Sequence, residues 1–112
     1  MPANDKDGLQ DMLDAASLIL EFARDSSLEE LASSQMRLSA VLYQIVIIGE
    51  AARRLSAQFR QAHPEVPWAK ITGMRSVLVH EYDGVVAHEV WQVVQRDLRE
   101  LVPKIESMLN SL

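Results

Sequence analysis

The run Val41-Leu42-Tyr43-Gln44-Ile45-Val46-Ile47-Ile48 is the strongest constraint on how this chain folds. As a helix it is apolar nearly all the way round, and a helix with no wet face must be covered on more than one side. Ile and Val also favour strands. However, Met36-Arg37-Leu38 leads in and Glu50-Ala51-Ala52-Arg53-Arg54-Leu55 leads out with helical character, and neither flank carries a turn signal. The run therefore reads as the centre of a long helix. A chain of 112 residues forms one domain with a single core, and association helps a core of that size. The expected cover is a second copy of the chain, in a homodimer that uses part of this helix.

The remaining periodicity is helical too. Leu9, Met12, Leu13, Ala16, Ile19, Leu20 and Ala23 recur at three and four residues and predict a first amphipathic helix from about Asp5 to Arg24. Asp25-Ser26-Ser27 interrupts it. Ser27 with Glu30 fits a capping box opening a short helix from Leu28 to Ser33. Ser34 then caps the long helix, which is expected to run to Gln61 or Ala62, where His63-Pro64 stops it. Pro67 suits the first turn of the next helix, which Trp68-Ala69-Lys70-Ile71 begins, Gly73 loosens and Met74 to about Glu81 continues. Asp83-Gly84 reads as a stop. A last helix is expected from about Ala87 to Asn110, bent by Pro103. The predicted fold is an all-α, antiparallel up-and-down bundle of four main helices plus one short helix.

Charge and composition narrow the function. The net charge of -5 argues against a general nucleic-acid binder, since phosphate neutralisation needs clustered cations. Eight of the eleven basic residues are Arg, which offers a planar fork to phosphate. Arg53, Arg54, Arg60 and Arg75 can form a local basic patch; solvated charges on helix faces explain the first three as well. There is no cysteine, hence no disulfide framework and no thiolate metal site. No apolar stretch reaches the ~18 residues of a membrane span, and the start does not look like a signal peptide. A cytoplasmic protein is the default expectation.

The chemistry concentrates in Arg75-Ser76-Val77-Leu78-Val79-His80-Glu81-Tyr82, an R-x4-H-x-Y arrangement in an apolar run. At ~100° per residue Arg75 and His80 stand about 140° apart on a continuous helix, whereas Arg75 and Tyr82 differ by about 20°. Arg and His therefore meet if the helix ends near His80, or if two copies of the motif face each other across a dimer axis. Such a set can break RNA without a metal, because RNA carries its own nucleophile, the 2′-hydroxyl. His80 can take that proton or give one to the departing 5′ oxygen. Arg75 can pair with phosphate oxygens as charge builds, and Tyr82 can hydrogen-bond the phosphate or place the base. Two copies supply both an acid and a base. A plainer reading is a histidine partly buried in the bundle, Arg75 paired with Glu50 or Glu81, and Tyr82 over an apolar patch.

No metal or other cofactor is expected. His80-Glu81 lacks the second histidine four residues on that a zinc protease helix needs, because that position is Gly84. His88 and Glu89 read as first-turn residues of the last helix, and His63 as a loop residue.

Several stretches together, in order, resemble the HepT-like family of the HEPN superfamily: Asp11-Met12-Leu13-Asp14-Ala15, Ile47-Ile48-Gly49-Glu50-Ala51-Ala52-Arg53-Arg54-Leu55, His63-Pro64-Glu65-Val66-Pro67-Trp68, Gly73-Met74-Arg75, Val79-His80-Glu81-Tyr82 and Val90-Trp91. The resemblance covers nearly the whole chain. It implies a homodimeric toxin of a toxin–antitoxin pair, acting as a metal-independent endoribonuclease with Arg75 and His80 catalytic and Ser76 and Tyr82 on the substrate. It also implies a cognate minimal nucleotidyltransferase of the MntA type as antitoxin, transferring AMP to Tyr82. The added anionic bulk would block phosphate entry, much as phosphorylation can. Glu50 is a possible orienting partner for Arg75. One departure stands out: family members commonly carry Asn or another polar residue of longer reach after the motif arginine, and here it is Ser76. Some related helical proteins have been regarded as binding subunits of nucleotidyltransferases, which gives the alternative reading of a non-catalytic partner- or substrate-binding module.

Overall fold

Three serines in succession each start a helix. In the computed structural model, which describes residues 3–74 and 83–112, the Oγ of Ser27 accepts from the N–H of Glu30 at 3.1 Å, that of Ser34 from Arg37 at 3.2 Å and that of Ser56 from Phe59 at 3.1 Å. Each bond satisfies a backbone donor that the first helical turn leaves without an intrahelical partner, a contribution of about 1 kcal/mol apiece. The capped helices are α2 (Leu28–Ser33), α3 (Gln35–Arg54) and α4 (Ala57–Ala62). They follow α1 (Ala3–Phe22) and precede α5 (Trp68–Thr72) and α6 (Asp83–Gln92). A single π-helical turn at Val93–Asp97 joins α6 to α7 (Leu98–Asn110).

The all-α class is as the sequence predicts, and α2 has the predicted bounds. The chain turns out of α1 through Asp25, whose φ of 58° is one that Asp tolerates better than most residues. Arg37 braces that turn from α3 by donating to Ser26 Oγ at 2.7 Å, and its guanidinium lies 3.9 Å from the Glu30 carboxylate.

Two expectations need correction. The third helix does not reach Gln61 or Ala62: it ends at Arg54, Leu55 and Ser56 are extended, and α4 starts afresh. The cause lies far away in sequence. Asp5 at the start of α1 is buried, with 1% of its surface exposed, and one carboxylate oxygen accepts the Ser56 N–H at 2.7 Å while the other accepts its Oγ–H at 2.8 Å. A serine whose N–H and hydroxyl are both engaged this way sits at a helix start, not in an interior. The second correction concerns the start of the last rod: Asp83-Gly84 opens α6, so the rod begins before Ala87, and the helix that this pair is expected to stop lies almost wholly outside the described residues. Asp and Gly are both accepted at helix N-termini. Pro103 does lie inside α7; the rod's irregular stretch, the π turn, is upstream of it, where the N–H of Leu98 reaches back to the carbonyl of Val93.

Among the described residues the fold thus has three long rods, α1, α3 and the run from α6 through the π turn to α7, with α2, α4 and α5 as short connecting helices. The helix that the sequence places over Met74 to Glu81 falls almost wholly outside the described residues. The start of α1 meets the end of α3, with Asp5 on Ser56 and Asp11 on Arg54, so these rods run antiparallel. Gly8 permits the close approach: a Cβ there would stand 2.9 Å from Leu55 Cδ2 and 3.3 Å from the Ala51 carbonyl oxygen. Leu9, Met12 and Ile19 pack with Val41, Ile45 and Ile48, and Val90, Leu98 and Ile105 of the last rod complete the core. Each short helix contributes one buried anchor, Leu31, Phe59 or Ile71, worth about 1.5–3 kcal/mol apiece.

The all-round apolar centre of α3 is covered mostly by its own chain. α1, α2, α5 and α6 all pack on α3. Val41, Ile45 and Ile48 are buried, Leu42, Val46 and Ile47 half-buried, and Tyr43 remains 65% exposed. No helix among the described residues is long and apolar enough to cross a membrane.

Candidate active site

The expected catalytic and substrate residues Arg75, Ser76, His80 and Tyr82 lie outside the described residues. The structure defines the frame on either side of them. On the entry side the connector 63–67 is a folded unit rather than a loose loop. His63, read from sequence as a loop residue, ends α4 by donating its N–H to the Arg60 carbonyl at 3.2 Å. Its ring packs on Phe59 with centroids 4.5 Å apart, and Phe59 meets Trp68 edge-on at 6.3 Å. Trp68 Nε1 donates to the His63 carbonyl at 2.9 Å, so the first residue of α5 is tied back to the end of α4. The pattern Phe59-x3-His63-x4-Trp68 is the sequence signal of this unit.

Charge reinforces the connector. His63 Nδ1 lies 3.2 Å from Glu65 Oε2, and Lys104 of α7 donates to the Glu65 carbonyl oxygen at 3.0 Å. The Glu65 carboxyl is held below its ordinary range, first by its own backbone N–H and then by His63, with Lys104 adding a smaller attraction. From Trp68 the chain runs into α5, where Ile71 is buried, and on past its end to Met74, which is buried too. Pro67 occupies the N-cap position and has no N–H to leave unsatisfied.

On the exit side α6 packs against α2 and α3, with Ala87 and Val90 buried. His88 is exposed on α6 and Glu89 half-buried. Because α6 starts at Asp83, these two lie beyond its first turn. α3 therefore backs both flanks, since α5 and α6 both pack on it.

The remaining expected site residues divide. Glu50, the possible orienting partner of Arg75, is half-exposed on α3 with Oε1 3.8 Å from Arg53 Nη1. Arg54 donates to Asp11 at 2.7 Å. Arg53 and Arg54 are thus locally paired, in line with the reading of solvated helix-face charges, and exposed pairs of this kind contribute little. Arg60 has a buried Nε with no hydrogen-bond partner among the described residues. No group of three or more His, Asp or Glu side chains arranged to hold a metal occurs among the described residues.

One contact the sequence does not announce joins the two flanks. Lys70 of α5 donates to Asp97, the last residue of the π turn, at 2.8 Å. The partners are 27 positions apart, a separation without any local pattern.

Comparison with known proteins places this frame. The HepT-like family model, described as Ribonuclease HepT-like, matches residues 12–108. A probable ribonuclease HepT of Thermococcus cleftensis is 35% identical over 108 residues, covering 96% of this chain and 98% of its own. A putative RNase of Methanocaldococcus jannaschii is 34% identical over 98 residues, 88% of this chain and 90% of its own. Another, from Caldanaerobacter subterraneus subsp. tengcongensis, is 32% identical over 102 residues, 91% of each. No solved structure matches.

Proposed function

The chain belongs to the HepT-like family of ribonucleases, and from that membership we propose that it is a metal-independent endoribonuclease and the toxin of a toxin–antitoxin pair. The observation that carries the reading is the family match over residues 12–108, which contains the whole R-x4-H-x-Y stretch and both flanks that frame it. The 2′ oxygen of the substrate attacks the adjacent phosphorus, the bond to the 5′ oxygen breaks, and a 2′,3′-cyclic phosphate and a 5′-hydroxyl result. His80 of one copy takes the 2′-hydroxyl proton, and His80 of a second copy gives one to the departing 5′ oxygen. Arg75 pairs with the phosphate oxygens, and its charge counts most as negative charge accumulates. Tyr82 and Ser76 hydrogen-bond the substrate, and Glu50 orients Arg75.

Two active-site copies require a homodimer. The outer face of α3 supports that assembly: Met36 is 84% and Tyr43 65% exposed. Seven positions apart, they lie within about 20° of one another on the helix. The antitoxin in this reading is an MntA-type nucleotidyltransferase that adds AMP to Tyr82.

The deciding experiment is cleavage of mixed RNA by the purified protein in EDTA, beside His80→Ala of matched helicity and oligomeric state. The expected result is cutting by the wild type alone, with cyclic phosphate ends. Ser76, shorter than the family's common Asn, favours a second reading, a non-catalytic binding subunit of a nucleotidyltransferase. In that case neither protein cuts, intact mass shows both unmodified, and His80→Ala weakens only partner binding.

A further inference from the structure

The arginines of this chain are not equivalent once it is folded. Arg53 lies 3.8 Å from Glu50, Arg54 donates to Asp11 at 2.7 Å, and Arg96 donates to Asp97 at 3.3 Å. Arg24 and Arg99 are exposed and solvated. Among the described residues only Arg37 and Arg60 are half-buried arginines. Arg37 has Ser26 at 2.7 Å and Glu30 at 3.9 Å. Arg60 pairs with no carboxylate among the described residues, and its Nε is buried without a hydrogen-bond partner there. Taking a charge partly out of water costs free energy unless an opposite charge or a hydrogen bond offsets it, so an orphaned donor on a cation calls for an explanation.

The backbone that carries Arg60 is held at both ends of its short helix. Ser56, the N-cap of α4, is clasped by Asp5, and the Trp68 indole is tied to the carbonyl of His63. On an unbroken α3, Arg60 would follow Arg53 by seven positions and share its face within about 20°. Because α4 starts afresh, Arg60 leaves the row of the paired arginines.

We propose that Arg60 is a phosphate-binding residue, which holds one phosphate of the RNA backbone. Its planar fork of donors matches phosphate oxygens. Arg60 is still partly exposed, so an anion can reach it from solution, and attraction is stronger where water is already thinned. On a chain of net charge -5 general attraction for RNA is weak, so each cation without an internal partner counts. Phosphate binding offsets the cost of keeping this one half-buried and unpaired. The choice of RNA as the carrier of the phosphate rests on the ribonuclease reading above; the unpaired state of Arg60 does not.

The test uses Arg60→Met, which keeps an unbranched apolar stem and removes the charge, with Arg53→Gln and Arg54→Gln as controls. Each is made in the full chain on a His80→Ala background, so that bound RNA is not consumed, and cleavage is followed separately with His80 intact. Affinity for one mixed-sequence single-stranded RNA is read by fluorescence anisotropy from about 50 to 200 mM salt. Arg60→Met is expected to weaken binding about tenfold at about 0.1 M salt. It is also expected to flatten the plot of log affinity against log salt by about 0.7, the value for one phosphate contact on a single strand. The two controls are expected to change that slope less than half as much. In urea the midpoint of Arg60→Met is expected to stay level or rise, because an unpaired, partly desolvated charge has gone. A midpoint lowered by more than about 0.5 M overturns the proposal, since Arg60 is then a structural residue. Unchanged affinity and slope overturn it, as do an equal loss in all three variants and a parent protein that binds no RNA. Binding through Arg60 in a protein whose wild type cuts no RNA keeps the phosphate contact and refutes the ribonuclease reading instead.

Discussion

Replacing Asp5 with alanine tests the joint that holds the first rod to the third. The carboxylate accepts two bonds from Ser56, at 2.7 and 2.8 Å, and the residue is buried, with 1% of its surface exposed. Hydrogen bonds to charged groups contribute about 1.5–3 kcal/mol each. Ser56 is only half-buried, so water can partly replace the lost acceptor and the lower end applies. The expected loss is about 3 kcal/mol, a large share of the roughly 5–15 kcal/mol that holds a small domain together. In urea, at a fixed protein concentration, the midpoint followed by far-UV circular dichroism should fall by roughly 2 M. Asp5→Asn keeps one acceptor oxygen and should lose about half as much. A double-mutant cycle with Ser56→Ala isolates the pair, and the expected coupling is at least about 1.5 kcal/mol. Strict additivity, or a loss below about 1 kcal/mol for Asp5→Ala, would refute the assignment of the α3–α4 break to this contact.

Other substitutions probe the remaining links. Ser27→Ala and Ser34→Ala should each lower stability by about 1 kcal/mol in the same urea assay, since each removes one cap bond. Ile48→Ala should cost about 2–5 kcal/mol, because Ile48 is fully buried between rods. If the proposed homodimer uses the outer face of α3, Tyr43→Arg should yield a folded monomer by light scattering coupled to gel filtration; a variant that stays dimeric would move the interface off this face. Glu65 titrates below the ordinary carboxylate range, so its contribution is present above that range and disappears as the pH falls through the lowered value. Glu65→Gln should remove that part of the acid limb, and NMR titration of the Glu65 carboxyl in the wild type reads the depression directly.

Much of the scaffold is legible in the residues. Serines at 27 and 34 carry their caps in the local sequence, and the i, i+3, i+4 spacing of α1 fixes its buried face. The illegible parts depend on partners distant along the chain. Ser56 looks like one more helix residue until Asp5, 51 positions earlier, claims its N–H and hydroxyl. Asp83-Gly84 is ambiguous in principle, because the same residue types end one helix and begin another. The centre of α3 correctly demands cover on several sides, but composition does not say how many of those sides the chain itself supplies. Arg75, Ser76, His80 and Tyr82 are prominent as residue types in an apolar run, whereas the contact between Lys70 and Asp97 is inconspicuous until their elements are brought together.

The Asp5–Ser56 clasp also has a bearing on the order of events during synthesis. Chains emerge N-terminus first, at about 5–20 residues per second. Both halves of the clasp, and all of α1 and α3, precede position 57, whereas Arg75 and His80 come later. The two rods can therefore dock before the proposed reactive segment has emerged. The nascent chain presents its platform first and the proposed catalytic residues last.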